Sequence, residues 1–334
     1  MTDRLFGWPA GSATGVGSLP GTDPVEAIKL VLGELPDLPY LPELPARGPG
    51  AELIGRGCAV LVDLPTEVLP HGWTLASHPG RDLSRARDHL ERDLDALTEQ
   101  AAGVPVLKVQ LAGPLTLGAG VELPNLHKVL TDLGAFADLT QSLAEGARQL
   151  LTSLRSRLPG TRLVLQLDEP ALPAVLTGRV PTPSGYGTVR ALDRSTAESA
   201  LGSVLSVAPA GCRVVHCCAS QVPYGLLRRA GADAASVDLA LVPDGQLDAL
   251  GEFVDDGGSL WLGVLPGTDA PISLAETRTA VRTLWGKLGF SPQQLAERVV
   301  VSPSCGLAGA SSAYLRTAMS ILRDLAAALS DESV

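Results

Sequence analysis

The chain predicts an α/β fold, a single (β/α)8 barrel (TIM barrel) spanning residues 1–334, and three observations carry that expectation. Short apolar, β-branched runs recur between Gly, Pro or polar boundaries. Long Ala/Leu/Arg/Glu segments with apolar residues every three or four positions separate them. The strand-like runs number about eight, as such a barrel requires. A doubly wound open sheet is the rival. Against it, no G-x-G-x-x-G follows a strand: Gly15-Val16-Gly17-Ser18-Leu19-Pro20 lacks the third glycine and runs into proline.

In chain order, strands are expected near 14–17 and over 59–62, 104–110, 162–167, 213–216, 235–238, 259–264 and 299–302. Helices are expected over 83–102, 133–157, 195–207, 273–288 and 313–329, where Leu and Ala repeat on one face. The Pro-rich stretch 35–45 is too apolar for a free linker and reads as an ordered loop over one end of the barrel.

Composition narrows the function. A chain of 334 residues with 45% hydrophobic content can bury a large core. With 26 Lys+Arg against 36 Asp+Glu, the net charge is −10 and no basic run offsets it, so nucleic acid is a poor partner. No stretch reaches the roughly 18 continuous apolar residues of a membrane span, and neither export nor membrane insertion is expected. Five cysteines, two of them adjacent, do not form a spaced disulfide framework, and a cytoplasmic, reducing location is expected.

In a (β/α)8 barrel the chemistry stands at the C-terminal ends of the strands. Gln110, Asp168-Glu169, His216 and Cys218, Asp238, and Cys305 all fall there. His216-Cys217-Cys218 sets an imidazole and a thiol at H-x-C spacing after an apolar run, and with Cys305 it suits zinc, which favours thiolate and imidazole ligands. The competing reading is that adjacent cysteines after an apolar strand are core. Cys217, Cys212 and Cys58 are expected to be core rather than ligands. His71, His78, His89 and His127 have no cysteine at ligand spacing. Trp73 either lines a ligand site or anchors a loop.

These motifs resemble the C-terminal catalytic barrel of cobalamin-independent methionine synthase. Val16-Gly17-Ser18-Leu19-Pro20 resembles that family's I-G-S-x-P, and Gln166-Leu167-Asp168-Glu169-Pro170-Ala171-Leu172 its Q-x-D-E-P-A-L. His216-Cys217-Cys218 matches its H-x-C, and Val301-Ser302-Pro303-Ser304-Cys305-Gly306-Leu307 is similar to its N-P-D-C-G-L, in the same order. The resemblance implies a zinc ion on His216, Cys218, Cys305 and a carboxylate. Asp238 stands where the family has glutamate. It implies homocysteine, or another small thiol, as methyl acceptor. Val16 and Ser18 would lie near its α-carboxylate, with Asp168, the candidate catalytic residue, and Glu43 on its ammonium; Gln110 would line the pocket.

Full-length members of the family carry a further N-terminal barrel that helps bind the folate donor. This chain has one barrel's length, so a donor other than methyltetrahydrofolate triglutamate is expected, namely methylcobalamin or a methyl-corrinoid protein, with methyltetrahydrofolate kept as a candidate. Two alternatives stay open: a decarboxylase resembling uroporphyrinogen decarboxylase, without zinc, and a non-catalytic zinc-binding barrel.

Overall fold

The computed structural model describes residues 5–331. Helices α1 (Pro24–Glu34) and α2 (Leu53–Val60) precede a short antiparallel hairpin, β1 (Thr66–Leu69) and β2 (Gly72–Leu75), and then α3 (Arg81–Gln100). A curled parallel sheet of six strands follows, in spatial order identical to chain order: β3 (Val106–Ala112), β4 (Arg162–Asp168), β5 (Arg213–Cys217), β6 (Ala234–Asp238), β7 (Ser259–Leu265) and β8 (Val299–Pro303). Parallel neighbours need crossovers, and helices supply them. These are α4 (Pro114–Gly120) and α5 (Leu133–Arg157), α6 (Leu172–Thr177) and α7 (Arg194–Leu205), α8 (Tyr224–Arg229), α9 (Leu247–Asp255), then α10 (Leu274–Leu288) and α11 (Pro292–Arg298). Helix α12 (Ser312–Asp331) ends the described chain. The arrangement is TIM-barrel-like. Among the described residues no helix is long and apolar enough to cross a membrane.

Strand periodicity explains where the polar interior begins. Side chains alternate faces along a strand, so residues two apart share one. The outward set, including Leu107, Leu165, Val215, Val237, Leu262 and Val301, packs under the helices. The inward set starts with Val106, Val164, Val214, Ala234, Trp261 and Val300, one from each strand, which form an apolar plug with Phe6, Trp8 and Leu38. Trp8 stacks on Phe6 at 4.9 Å and meets Trp261 edge-on at 5.0 Å. Two residues further along the same strands come Lys108, Gln166, His216, Ser236, Gly263 and Ser302. The interior therefore turns polar one layer above the plug, toward the C-terminal ends.

Three expectations are corrected. Residues 59–62 end a helix instead of forming a strand: Glu52 caps α2 by accepting from Gly55 N, and a four-residue apolar run has no period that separates the two states. Residues 14–17 form no regular strand and are flanked by isolated bridges at Ala13 and Ser18. Thr14 N donates to Val301 O at 3.0 Å, and Glu43 N donates to Gly17 O at 3.1 Å. The Pro-rich stretch is no covering loop. It runs extended and buried beside β3, with Lys108 N donating to Pro39 O (2.8 Å) and Leu41 N to Lys108 O (3.0 Å). Pro39 and Pro42 have no N–H to give, which breaks the ladder without removing the chain from the wall.

Helix α5 crosses so close to the end of α2 that a methyl group on Gly146 would sit 1.8 Å from Val60 O. Alanine adds about 1 kcal/mol of helix propensity, but overpacking of this kind costs about 1–3 kcal/mol. Gly146→Ala is therefore expected to lower the urea unfolding midpoint at constant m-value; an unchanged or higher midpoint would contradict the packing.

Candidate metal centre and substrate pocket

Strands β5 and β8 are not paired, yet the curl of the sheet brings their ends together. His216 lies in β5 and Cys218 directly follows it; Cys305 lies two residues beyond β8. One ligand atom from each of the three falls within 4.8 Å of the others, and the two sulfurs are 3.5 Å apart. His216 is 2% exposed, with Nδ1 3.0 Å from Ser236 Oγ across the β5–β6 register. Its Nε2 is buried and has no partner.

An unpartnered buried ring nitrogen costs free energy unless something binds it. Here the Ser236 contact occupies one nitrogen and leaves the other for a cation. The hydrogen bond between Cys218 and Cys305, and after it the neighbouring His216 imidazole, push the Cys305 thiol down to about 4, while the same pairing pushes Cys218 up. A thiolate, a second sulfur and a free imidazole nitrogen make a soft donor set that fits zinc. Asp238 closes β6 on the same rim but outside that three-residue group. Its Oδ1 accepts from Ala240 N at 2.9 Å and caps the turn Leu239–Leu241. Burial, more than any neighbour, raises its carboxyl.

The remaining cysteines and histidines lie elsewhere. Cys217 faces the outer core, and Cys58 and Cys212 are buried. His71 contacts Glu122 at 2.5 Å, His78 bonds Ser77, and His89 and His127 lie on α3 and a loop. Trp73 is buried in β2 with Nε1 donating to Glu52 at 2.6 Å, the geometry of an anchor.

Beside the metal centre, the polar layer forms one connected network. Lys108, fully buried, donates from Nζ to Val16 O (2.6 Å) and Gln166 Oε1 (2.9 Å), with Gln110 Oε1 at 3.4 Å. Gln166 Nε2 donates to Asp168 Oδ1 (2.6 Å) and to Val16 O (2.9 Å). Gln110 Nε2 donates to Glu43 Oε1 (3.0 Å) and Leu41 O (2.7 Å). Arg56 approaches Glu43 at 3.7 Å and pairs with Asp93, which Arg47 also holds in a fork at 2.7 and 2.8 Å. Burial pulls the Lys108 ammonium down and pushes Asp168 and Glu43 up, and the opposite charges work against it in each case.

The predicted residues Val16, Glu43, Gln110 and Asp168 thus join one buried hydrogen-bond network, and Ser18 lies two residues past Val16 at its edge. Ser18 also meets the metal loop: its carbonyl accepts from Leu307 N at 2.8 Å, and a Cβ on Gly306 would lie 1.9 Å from Ser18 Oγ. Only glycine allows that approach.

Lys108 escaped the sequence reading, and Glu169 was placed at a strand end without a role of its own. Lys108 sits in an apolar run, where its inward parity is the only signal. Glu169 is wholly buried and accepts from Leu115 N (2.9 Å), Thr116 N (2.8 Å) and Thr116 Oγ1 (2.7 Å), fixing the start of α4. Burial nevertheless raises its carboxyl to about 7.

A family model described as the catalytic domain of cobalamin-independent synthase matches residues 11–328. Among solved structures, the chain is similar to a B12-independent methionine synthase from Shewanella sp. W3-18-1 in complex with selenomethionine. The TM-score is 0.64 at 14% identity, covering 97% of this chain and 98% of that one. A GH5_18 from Bifidobacterium longum subsp. infantis gives a TM-score of 0.46 at 13% identity, covering 95% and 79%. The first likeness shows the fold; the second is too low to carry an argument. No curated protein matches the chain.

Ser236→Ala is expected to weaken zinc binding about 10–100-fold, because the hydroxyl orients His216. Competition with a chromophoric chelator measures this; wild-type affinity in the variant would contradict the orienting role.

Proposed function

The chain belongs to the cobalamin-independent synthase family through its catalytic domain, and on that premise we propose a zinc-dependent S-methyltransferase that converts homocysteine to methionine. The family makes it a methyltransferase. Its acceptor, metal and donor are our reading, and the observation that carries it is the unpartnered His216 Nε2 facing two sulfurs beside a pocket of buried carboxylates.

His216, Cys218 and Cys305 would hold the zinc, with Asp238 the candidate fourth ligand after a change of its side-chain hydrogen bond. Zinc bound there supplies a Lewis acid that keeps a coordinated thiol deprotonated at neutral pH, where a free thiol of pKa about 8.5 is mostly protonated. The protein's own residues orient the amino acid. Asp168 and Glu43 present carboxylates to its ammonium, and Gln166 and Gln110 hold those carboxylates in place. The Val16 carbonyl is already occupied by Lys108 and Gln166, so the Val16–Ser18 segment would act through its N–H groups and the Ser18 hydroxyl, for which no hydrogen bond is seen among the described residues. The selenomethionine carried by the Shewanella protein, a selenium analogue of the product, supports an amino acid of this size.

We also read residues 12–19 and 39–43 as two irregular staves that complete an eight-membered (β/α)8 ring in one catalytic unit, since their hydrogen bonds link Val301 to Lys108. Methylcobalamin, a methyl-corrinoid protein and methyltetrahydrofolate are the donors this chemistry admits. A zinc-free decarboxylase leaves the soft donor set without a purpose.

Cys218→Ser is expected to lose zinc and methionine formation together. Asp168→Asn should keep zinc while raising KM for homocysteine at least about tenfold, because a charge-assisted contact is replaced by a neutral one. Metal analysis with steady-state kinetics tests both; full zinc occupancy and turnover in Cys218→Ser would overturn the assignment.

A further inference from the structure

The rim beside the metal centre carries a groove that the proposed chemistry does not yet use. Its volume is about 480 Å³, and its lining includes Pro170, Ala174, Gln221, Arg179 and Arg194. The groove borders the site along the chain: Ala219 and Ser220, also in its wall, follow Cys218 directly, and Pro170 lies two residues past Asp168. None of its lining residues is acidic, in a chain of net charge −10. Neither Arg179 nor Arg194 forms an ion pair or a side-chain hydrogen bond among the described residues.

Two unpaired guanidiniums in a concave, acid-free wall concentrate positive potential and present forks that match carboxylate or phosphate. Gln221 holds φ at 66°, a left-handed conformation that non-glycine residues seldom adopt and that recurs where backbone clamps a ligand. By contrast, a cavity of about 400 Å³ between α1 and α12 mixes Asp23 and Glu26 with Lys29 and Arg316, so its charges cancel.

We propose that this groove binds an anionic arm of the methyl donor, Arg179 and Arg194 pairing with its carboxylate or phosphate groups while Pro170 and Ala174 face its apolar part. The inference rests on the methyltransferase reading, which requires a donor to reach the rim of the metal centre. The shared chemistry is a multiply charged anion, whether glutamate carboxylates of a folate or the nucleotide phosphate of a corrinoid.

Equilibrium binding of methyltetrahydropteroyl mono- and triglutamate and of methylcobalamin to the zinc-loaded full chain tests it. The variants are Arg179→Gln/Arg194→Gln and Arg179→Lys/Arg194→Lys. At least one donor should bind the wild type, lose about tenfold or more in the glutamine pair, and recover most of that in the lysine pair. A triglutamate preference erased by the glutamine pair assigns carboxylates; an effect confined to methylcobalamin assigns phosphate. Donor affinity unchanged in the glutamine pair overturns the proposal, as does a wild type that binds none of the three and so points to a carrier protein. Zinc content and homocysteine binding are measured in the same samples, so failure of the methyltransferase reading registers there and not in the donor arm.

Discussion

A single buried ammonium ties the C-terminal end of this curled parallel sheet together. Lys108 Nζ reaches Val16 O, Gln166 and Gln110, linking the irregular N-terminal segment to β3 and β4. Removing a charge from water costs several kcal/mol unless it is paired and hydrogen-bonded. Here the acceptors and the nearby Glu43 and Asp168 offset that cost, and the same contacts set the positions of those two carboxylates. Arg56, Asp93 and Arg47 extend the chain of alternating charge to α2 and α3. This buried network is thereby held by electrostatics from elements far apart in sequence.

Beneath it, the apolar plug explains why chemistry is confined to one end. Six strands each contribute one apolar residue, Trp261 among them, and Phe6, Trp8 and Leu38 complete the plug. Above that level the inward positions become polar, and at the strand ends His216, Cys218 and Cys305 converge. Glycine decides how closely the loops approach: Gly306 lets the Cys305 loop meet Ser18 with no side chain between them. The Val16–Ser18 segment and the Cys305 loop are therefore packed directly against each other.

The strands from β3 to β8 other than β6 were legible because they are β-branched or leucine-rich runs with clear borders, β6 (Ala234–Asp238) was marked by its place in the β-α alternation, and α5 was predicted with its observed ends. Residues 14–17 and 35–45 were not, since glycine and proline replace the regular ladder with isolated bridges while the backbone keeps its place in the wall. At 59–62 a short apolar run fitted helix and strand equally. Within the site, the H-x-C spacing suggested His216 and Cys218, and the ordered motifs resembling the family's added Cys305; the structure brings the three ligand atoms together. Lys108 was not, because a lysine in a strand ordinarily points to solvent and only its place in the folded interior makes it central. The engagement of Asp238 by Ala240 depends on a side-chain rotamer, which no pattern encodes.

Zinc-edge X-ray absorption on the metal-loaded protein, before and after adding homocysteine, tests the central claim most directly. The account predicts two sulfur ligands and one imidazole nitrogen with a lighter fourth donor, and one further sulfur once homocysteine is present. A first shell without two cysteine sulfurs, or one that homocysteine leaves unchanged, would contradict it.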